Sequence, residues 1–162
     1  MRIMAFMAIC LLGALQSAAL QAESGAPSKL LGRWTLDISK LPLPPGATPP
    51  RSVTLTVAEH GQDKWKTTID TVNADGSTIR AEATYPLDGQ RAPVAGSLDV
   101  DTIAVARPEA DVLVMATSRN GRPSNTRIFT VSPDGKAQTE TIVSHGPDGL
   151  PVTRANHWTR VD

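Results

Sequence analysis

Ser52-Val53-Thr54-Leu55-Thr56-Val57 decides the fold. Polar and apolar residues alternate with period two, the mark of a strand with one buried face. That face is Val53, Leu55 and Val57. The rhythm continues on the C-terminal side. Lys64 to Val72 sets Trp65, Thr67 and Ile69 on one side. Thr78 to Tyr85 sets Ile79, Ala81, Ala83 and Tyr85 against Arg80, Glu82 and Thr84. Asn73-Ala74-Asp75-Gly76 between them supplies a hairpin turn, because Asp-Gly suits backbone that needs positive φ. Asp88-Gly89 makes another turn, ahead of a short strand from Arg91 to Val94 ended by Gly96.

Five more segments have strand character: Thr102 to Ala106, Asp111 to Ser118, Asn125 to Ser132, Gln138 to His145 and Pro151 to Val161. Turn residues separate them at Pro108 to Ala110, Asn120-Gly121, Pro133-Asp134-Gly135 and Pro147-Asp148-Gly149. On the N-terminal side, Leu30 to Asp37 reads as the first strand. Leu41 to Pro50 carries Pro42, Pro44, Pro45, Pro49 and Pro50, so it forms an extended crossing loop. A helical segment longer than one turn has room only near Ile38 to Leu41. Strands joined by tight hairpins pair antiparallel, and a sheet of this size tends to close on itself. The expected fold is all-β, an antiparallel up-and-down barrel of about 8–10 strands. A two-sheet sandwich is the alternative.

The chain starts differently. Arg2 is followed by an apolar run from Ile3 to Leu15, then by the small residues Ser17, Ala18, Ala19 and Ala22. This reads as a signal peptide over residues 1–22, cleaved after Ala19 or Ala22, and the run is short for a membrane span. Ile9 before Cys10 argues against lipid attachment at that cysteine. Residues 23–29 form a flexible leader, and residues 30–162 a single barrel domain. The expected location is periplasmic or secreted.

Cys10 is the only cysteine and leaves with the signal peptide. The mature domain then has no disulfide, no thiolate nucleophile and no cysteine metal ligand. Loss of Arg2 leaves 15 basic residues of the original 16, against 16 acidic ones. A near-neutral chain with interspersed signs has no footprint for nucleic acid and no polybasic patch for anionic lipid.

Gly32-Arg33-Trp34-Thr35-Leu36-Asp37-Ile38-Ser39-Lys40, followed by the proline-rich loop, resembles the start of small exported bacterial proteins described as lipocalin-like. The likeness extends through Asn73 to Gly76, Tyr85 to Gly89, Pro93 to Gly96, Asp99 to Ile103, Ser132 to Lys136 and Gly146 to Val152. The resemblance implies a calycin-type barrel that holds a small apolar molecule. It also implies that Trp34 packs across the closed end of the barrel, under Arg160 or Arg154 from the last strand. The second lipocalin motifs are absent, and the resemblance carries no catalytic residues.

The residues themselves announce no catalysis. His60, His145 and His157 lack metal-site spacing, and the first two sit in turns. No G-x-S-x-G elbow is present. Asp70, Glu82 and Glu140 are expected to face solvent. A hydrolase would need histidine and carboxylate side chains converging from distant strands. No cofactor motif is present. Trp65, Ile69, Tyr85, Met115 and His157 are the candidate lining of a ligand pocket, with the ring of His157 turned inward. Small interior residues such as Ala81, Ala83 and Ala116 either leave a cavity or let the walls close. An open apolar cavity would mean an exported barrel for an apolar or amphipathic molecule. A filled one would mean a structural or interaction module that docks an envelope partner through Leu41 to Pro50.

Overall fold

The computed structural model describes residues 27–161. The signal-peptide reading of residues 1–22, and the leader as far as residue 26, lie outside the described residues. Ten strands follow in order: β1 (Gly32–Leu36), β2 (Ser52–Glu59), β3 (Lys64–Val72), β4 (Thr78–Pro86), β5 (Asp88–Ala95), β6 (Thr102–Glu109), β7 (Val112–Arg119), β8 (Arg122–Val131), β9 (Ala137–His145) and β10 (Pro151–Arg160). Each pairs antiparallel with its sequence neighbours, and β1 pairs with β10, closing the barrel. The closed meander follows from the period-two pattern and the tight turns, and the sandwich alternative is excluded. A single 3₁₀ turn, Ile38–Lys40, is capped by the Asp37 carboxylate accepting from the Ser39 N–H.

Strand ends run past the sequence reading in places. The chain turns at Leu87, and β5 already begins at Asp88, where Asp88-Gly89 looked like the turn itself. β6 continues to Glu109 across a register shift between Ala106 and Glu109. β5 is also shifted between Asp88 and Arg91, and its ladder to β4 is short: Glu82 to Ala95 and Ala83 to Val94.

Hairpin connections place alternate loops at the same end of a barrel. Residues 27–31 lie with the β6–β7 and β8–β9 turns. There the Ser28 hydroxyl donates to the Ala110 carbonyl (3.2 Å), and the Lys29 ammonium to that of Pro133 (2.7 Å). Leu30 is buried beneath this strap, and the Trp34 indole N–H donates to its carbonyl (3.4 Å). Trp34, Tyr85, Val105 and Val131 are at most 2 % exposed and pack into this half of the interior. The opposite end carries the proline-rich segment 41–50, the β5–β6 loop at residues 96–101 and the β9–β10 turn. Leu98 (68 %) and Leu150 (64 %) stand exposed there.

Candidate functional site

The interior is most open at the end away from the strap, and a smaller space reaches down to Leu30 of the strap. A cavity of about 320 Å³ is lined by Ile69, Ala81, Ala83, Ile103, Met115 and Arg127 among others. It reaches the β5–β6 loop at Ser97 to Val100. A second cavity of about 150 Å³ lies deeper, against Leu55, Leu113, Phe129, Gln138, Glu140 and Trp158. Thr67, Ile69, Met115 and Arg127 line both, so the two spaces adjoin. Barrel diameter grows with strand number, and ten strands enclose more room than eight. Small side chains on β3 and β4, Thr67, Ala81 and Ala83, do not fill that room.

One wall is polar. Alternation along β8 puts Asn125, Arg127, Phe129 and Val131 on one face, and on β9 it puts Gln138, Glu140 and Ile142 together. The register of β10 sets Asn156 opposite Glu140 and Trp158 opposite Gln138. Glu140 is 1 % exposed, and its carboxylate accepts three bonds. Arg127 Nη1 donates to one oxygen (3.0 Å), while Asn156 Nδ2 (2.9 Å) and Trp158 Nε1 (3.2 Å) donate to the other. Arg127 Nε in turn donates to Asn125 Oδ1 (3.1 Å). A charge inside a barrel is tolerated when it is paired and hydrogen-bonded, and Glu140 meets both conditions. Gln138, 3 % exposed, has a buried amide nitrogen with no hydrogen-bond partner.

A second polar contact lies on β3 and β4, where Thr67 Oγ1 and the Tyr85 hydroxyl share a 2.6 Å hydrogen bond. Burial pushes the Tyr85 phenol up to about 12 against that bond, which acts in the opposite direction.

The expected pocket residues divide. Ile69 and Met115 line both cavities. Trp65 and Tyr85 are buried on paired positions of β3 and β4, in the packed half, and line neither. Arg107 lies over the Trp65 ring at 5.4 Å. His157 is exposed: Asn156 and Trp158 occupy the inner face of β10, so alternation turns the intervening ring outward. His60 and His145 are exposed as well. Ala116 sits on the outer face, since its neighbours Met115 and Thr117 point inward. Glu140 is buried, not solvated, whereas Asp70 pairs with Arg80 (2.8 Å) and Glu82 with Lys66 (3.1 Å) on the outside. Solvation alone places carboxylates outward, and Glu140 departs from that rule because the neighbouring strands supply three donors. The signal for this wall was available: Phe129 and Val131 fix the inner face of β8, and Arg127 lies on it.

At the barrel seam Arg160 covers Trp34, its guanidinium carbon 4.2 Å from the ring centroid. Arg154 is exposed and has no such role. Among the described residues, no group of three or more His, Cys, Asp or Glu side chains could hold a metal ion. No helix among them is long and apolar enough to cross a membrane. No protein-family model matches the chain, and no curated protein matches it.

Proposed function

We propose that this barrel binds a small apolar or amphipathic molecule, in the periplasm or outside the cell, without catalysing its conversion. The observation that carries the reading is the unfilled half of the interior. The larger cavity falls within the size range of small-molecule sites, and its walls are mainly aliphatic with a few polar groups. The strapped end supplies a floor, and the end bearing the β5–β6 loop supplies the entrance. The lipocalin-like resemblance at Gly32 to Lys40 points the same way, as does the Arg160–Trp34 stack at the closed end. The export reading of residues 1–22 supports the location. A filled barrel docking an envelope partner through Leu41 to Pro50 has less support, because its premise is a packed interior.

The test is direct. The purified protein is titrated with a neutral apolar fluorophore, and protein taken from its native envelope is extracted with organic solvent for mass spectrometry. Saturable binding near one equivalent is expected, together with a co-purifying molecule. If the fluorophore does not titrate and the extract is empty, the binding reading is wrong.

A further inference from the structure

Gln138 is the least satisfied polar group in the interior. It is 3 % exposed, it lines the deeper cavity, and its amide nitrogen has no hydrogen-bond partner. Buried donors in folded proteins are nearly always paired, by protein, water or ligand. Glu140 does not relieve it: its three bonds come from Arg127, Asn156 and Trp158. Arg127 lines both cavities and spends Nε on Asn125 and Nη1 on Glu140, so Nη2 makes neither bond. Gln138 thus offers a free donor inside the deeper cavity, and Arg127 stands where the two largely apolar spaces adjoin.

Charge decides what kind of acceptor fits. Arg127 and Glu140 form an ion pair at 3.0 Å, so the polar wall is close to neutral. A carboxylate ligand would add a negative charge to a low-dielectric site whose one cation is already neutralised. A cationic ligand would meet the charge of Arg127, and Glu140 is already paired with that cation. An uncharged acceptor avoids both conflicts.

We propose that the ligand carries an uncharged hydrogen-bond acceptor, a carbonyl of the ketone, ester or amide class, seated against Gln138 in the deeper cavity, with its apolar body running past Arg127 into the larger one. This deepens the binding reading above and rests on it. The acceptor completes the Gln138 amide, and Ile69, Ala81, Ala83, Ile103 and Met115 enclose the rest.

A matched pair of probes tests it: 4-phenylbutan-2-one, and butylbenzene, which lacks the carbonyl. Binding is measured by calorimetry to the wild-type protein and to Gln138→Met. The ketone is expected to weaken on the order of tenfold in the variant, while the hydrocarbon stays within about twofold. In the wild type, 3-phenylpropanoate is expected to bind at least about tenfold more weakly than the ketone. The carbonyl stretch of bound, ¹³C-labelled ketone should lie below its position in hexane, a readout that needs no variant. Equal responses of the two probes to Gln138→Met, or a hexane-like carbonyl band, overturn the proposal. Binding of 3-phenylpropanoate as tight as that of the ketone overturns the uncharged head group. If neither neutral probe binds the wild type, the binding reading itself has failed.

Discussion

The Arg160 guanidinium lies over the Trp34 ring, its carbon 4.2 Å from the ring centroid, and the two residues are register partners where β1 meets β10. One side chain thus serves the barrel seam and the floor. Arg160 also donates to the backbone carbonyls of Gly135 (2.7 Å), Leu31 (2.8 Å) and Lys29, tying the 27–31 strap to the β8–β9 turn. Arg160→Ala removes the stack and leaves three carbonyls without that donor. A loss of about 2–4 kcal/mol in unfolding free energy is expected from these terms. Arg160→Lys should recover less than half, because an ammonium cannot stack flat and reach all three carbonyls. Urea unfolding of the three proteins measures both.

Gly96 and Gly61 provide a controlled pair. Both have positive φ, +74° and +69°. A Cβ at Gly96 would lie 2.0 Å from the Arg80 carbonyl oxygen, whereas one at Gly61 meets nothing within 4 Å. Gly61→Ala should cost about 1 kcal/mol, the backbone effect alone. Gly96→Ala must also push β5 away from β4, where the ladder is shortest. Its cost should exceed that of Gly61→Ala by about 2 kcal/mol or more. Similar melting temperatures for the two variants would mean that β5 moves aside freely.

Tyr85 is the single tyrosine, so tyrosinate absorbance reports it alone. Its phenol is raised from 10.0 to about 12 by burial. The folded state therefore holds the proton more tightly than the unfolded chain does. That contribution to stability is complete below pH ~10 and is lost as pH rises towards ~12. Wild-type stability should fall by roughly 2–3 kcal/mol across that window from this group. Tyr85→Phe should be flatter over the same window, though less stable at neutral pH because Thr67 loses its partner. A folded-state absorbance midpoint near 10 would contradict the burial argument.

The barrel was legible because its determinants are local. Alternation along Ser52 to Val57 and Thr78 to Tyr85 fixes which face is buried, and Asp75-Gly76 and Asn120-Gly121 fix where the chain reverses. The polar wall needs a non-local step. Gln138 and Glu140 alternate with Thr139 and Thr141, so both faces of β9 carry polar groups and hydropathy gives no phase. The phase comes from pairing, since counting back from the Asp148-Gly149 turn sets Gln138 opposite the buried Trp158. The same count would have turned His157 outward. The cavity itself was not legible. It depends on barrel diameter against the summed volume of side chains from ten strands, and no single segment encodes that quantity.

Glu140 and Arg127 yield the sharpest energetic prediction. Glu140 accepts from three donors, and Arg127 is its one cationic partner in the interior. Arg127→Met strands a buried carboxylate, and Glu140→Leu strands a guanidinium and two neutral donors. Each should destabilise by roughly 3–5 kcal/mol, the cost of a buried charge left alone. Arg127 is 27 % exposed against 1 % for Glu140 and reaches water more readily. Arg127→Met should therefore be the worse of the two. Combining both changes removes the charge problem together with its solution, so the double variant should be more stable than the sum of the single losses by about 2 kcal/mol or more. Glu140→Gln should sit between wild type and Glu140→Leu, since its amide oxygen still accepts from Arg127. Strict additivity in that cycle, read by urea unfolding at neutral pH, would show that solvent in the open half already screens the pair.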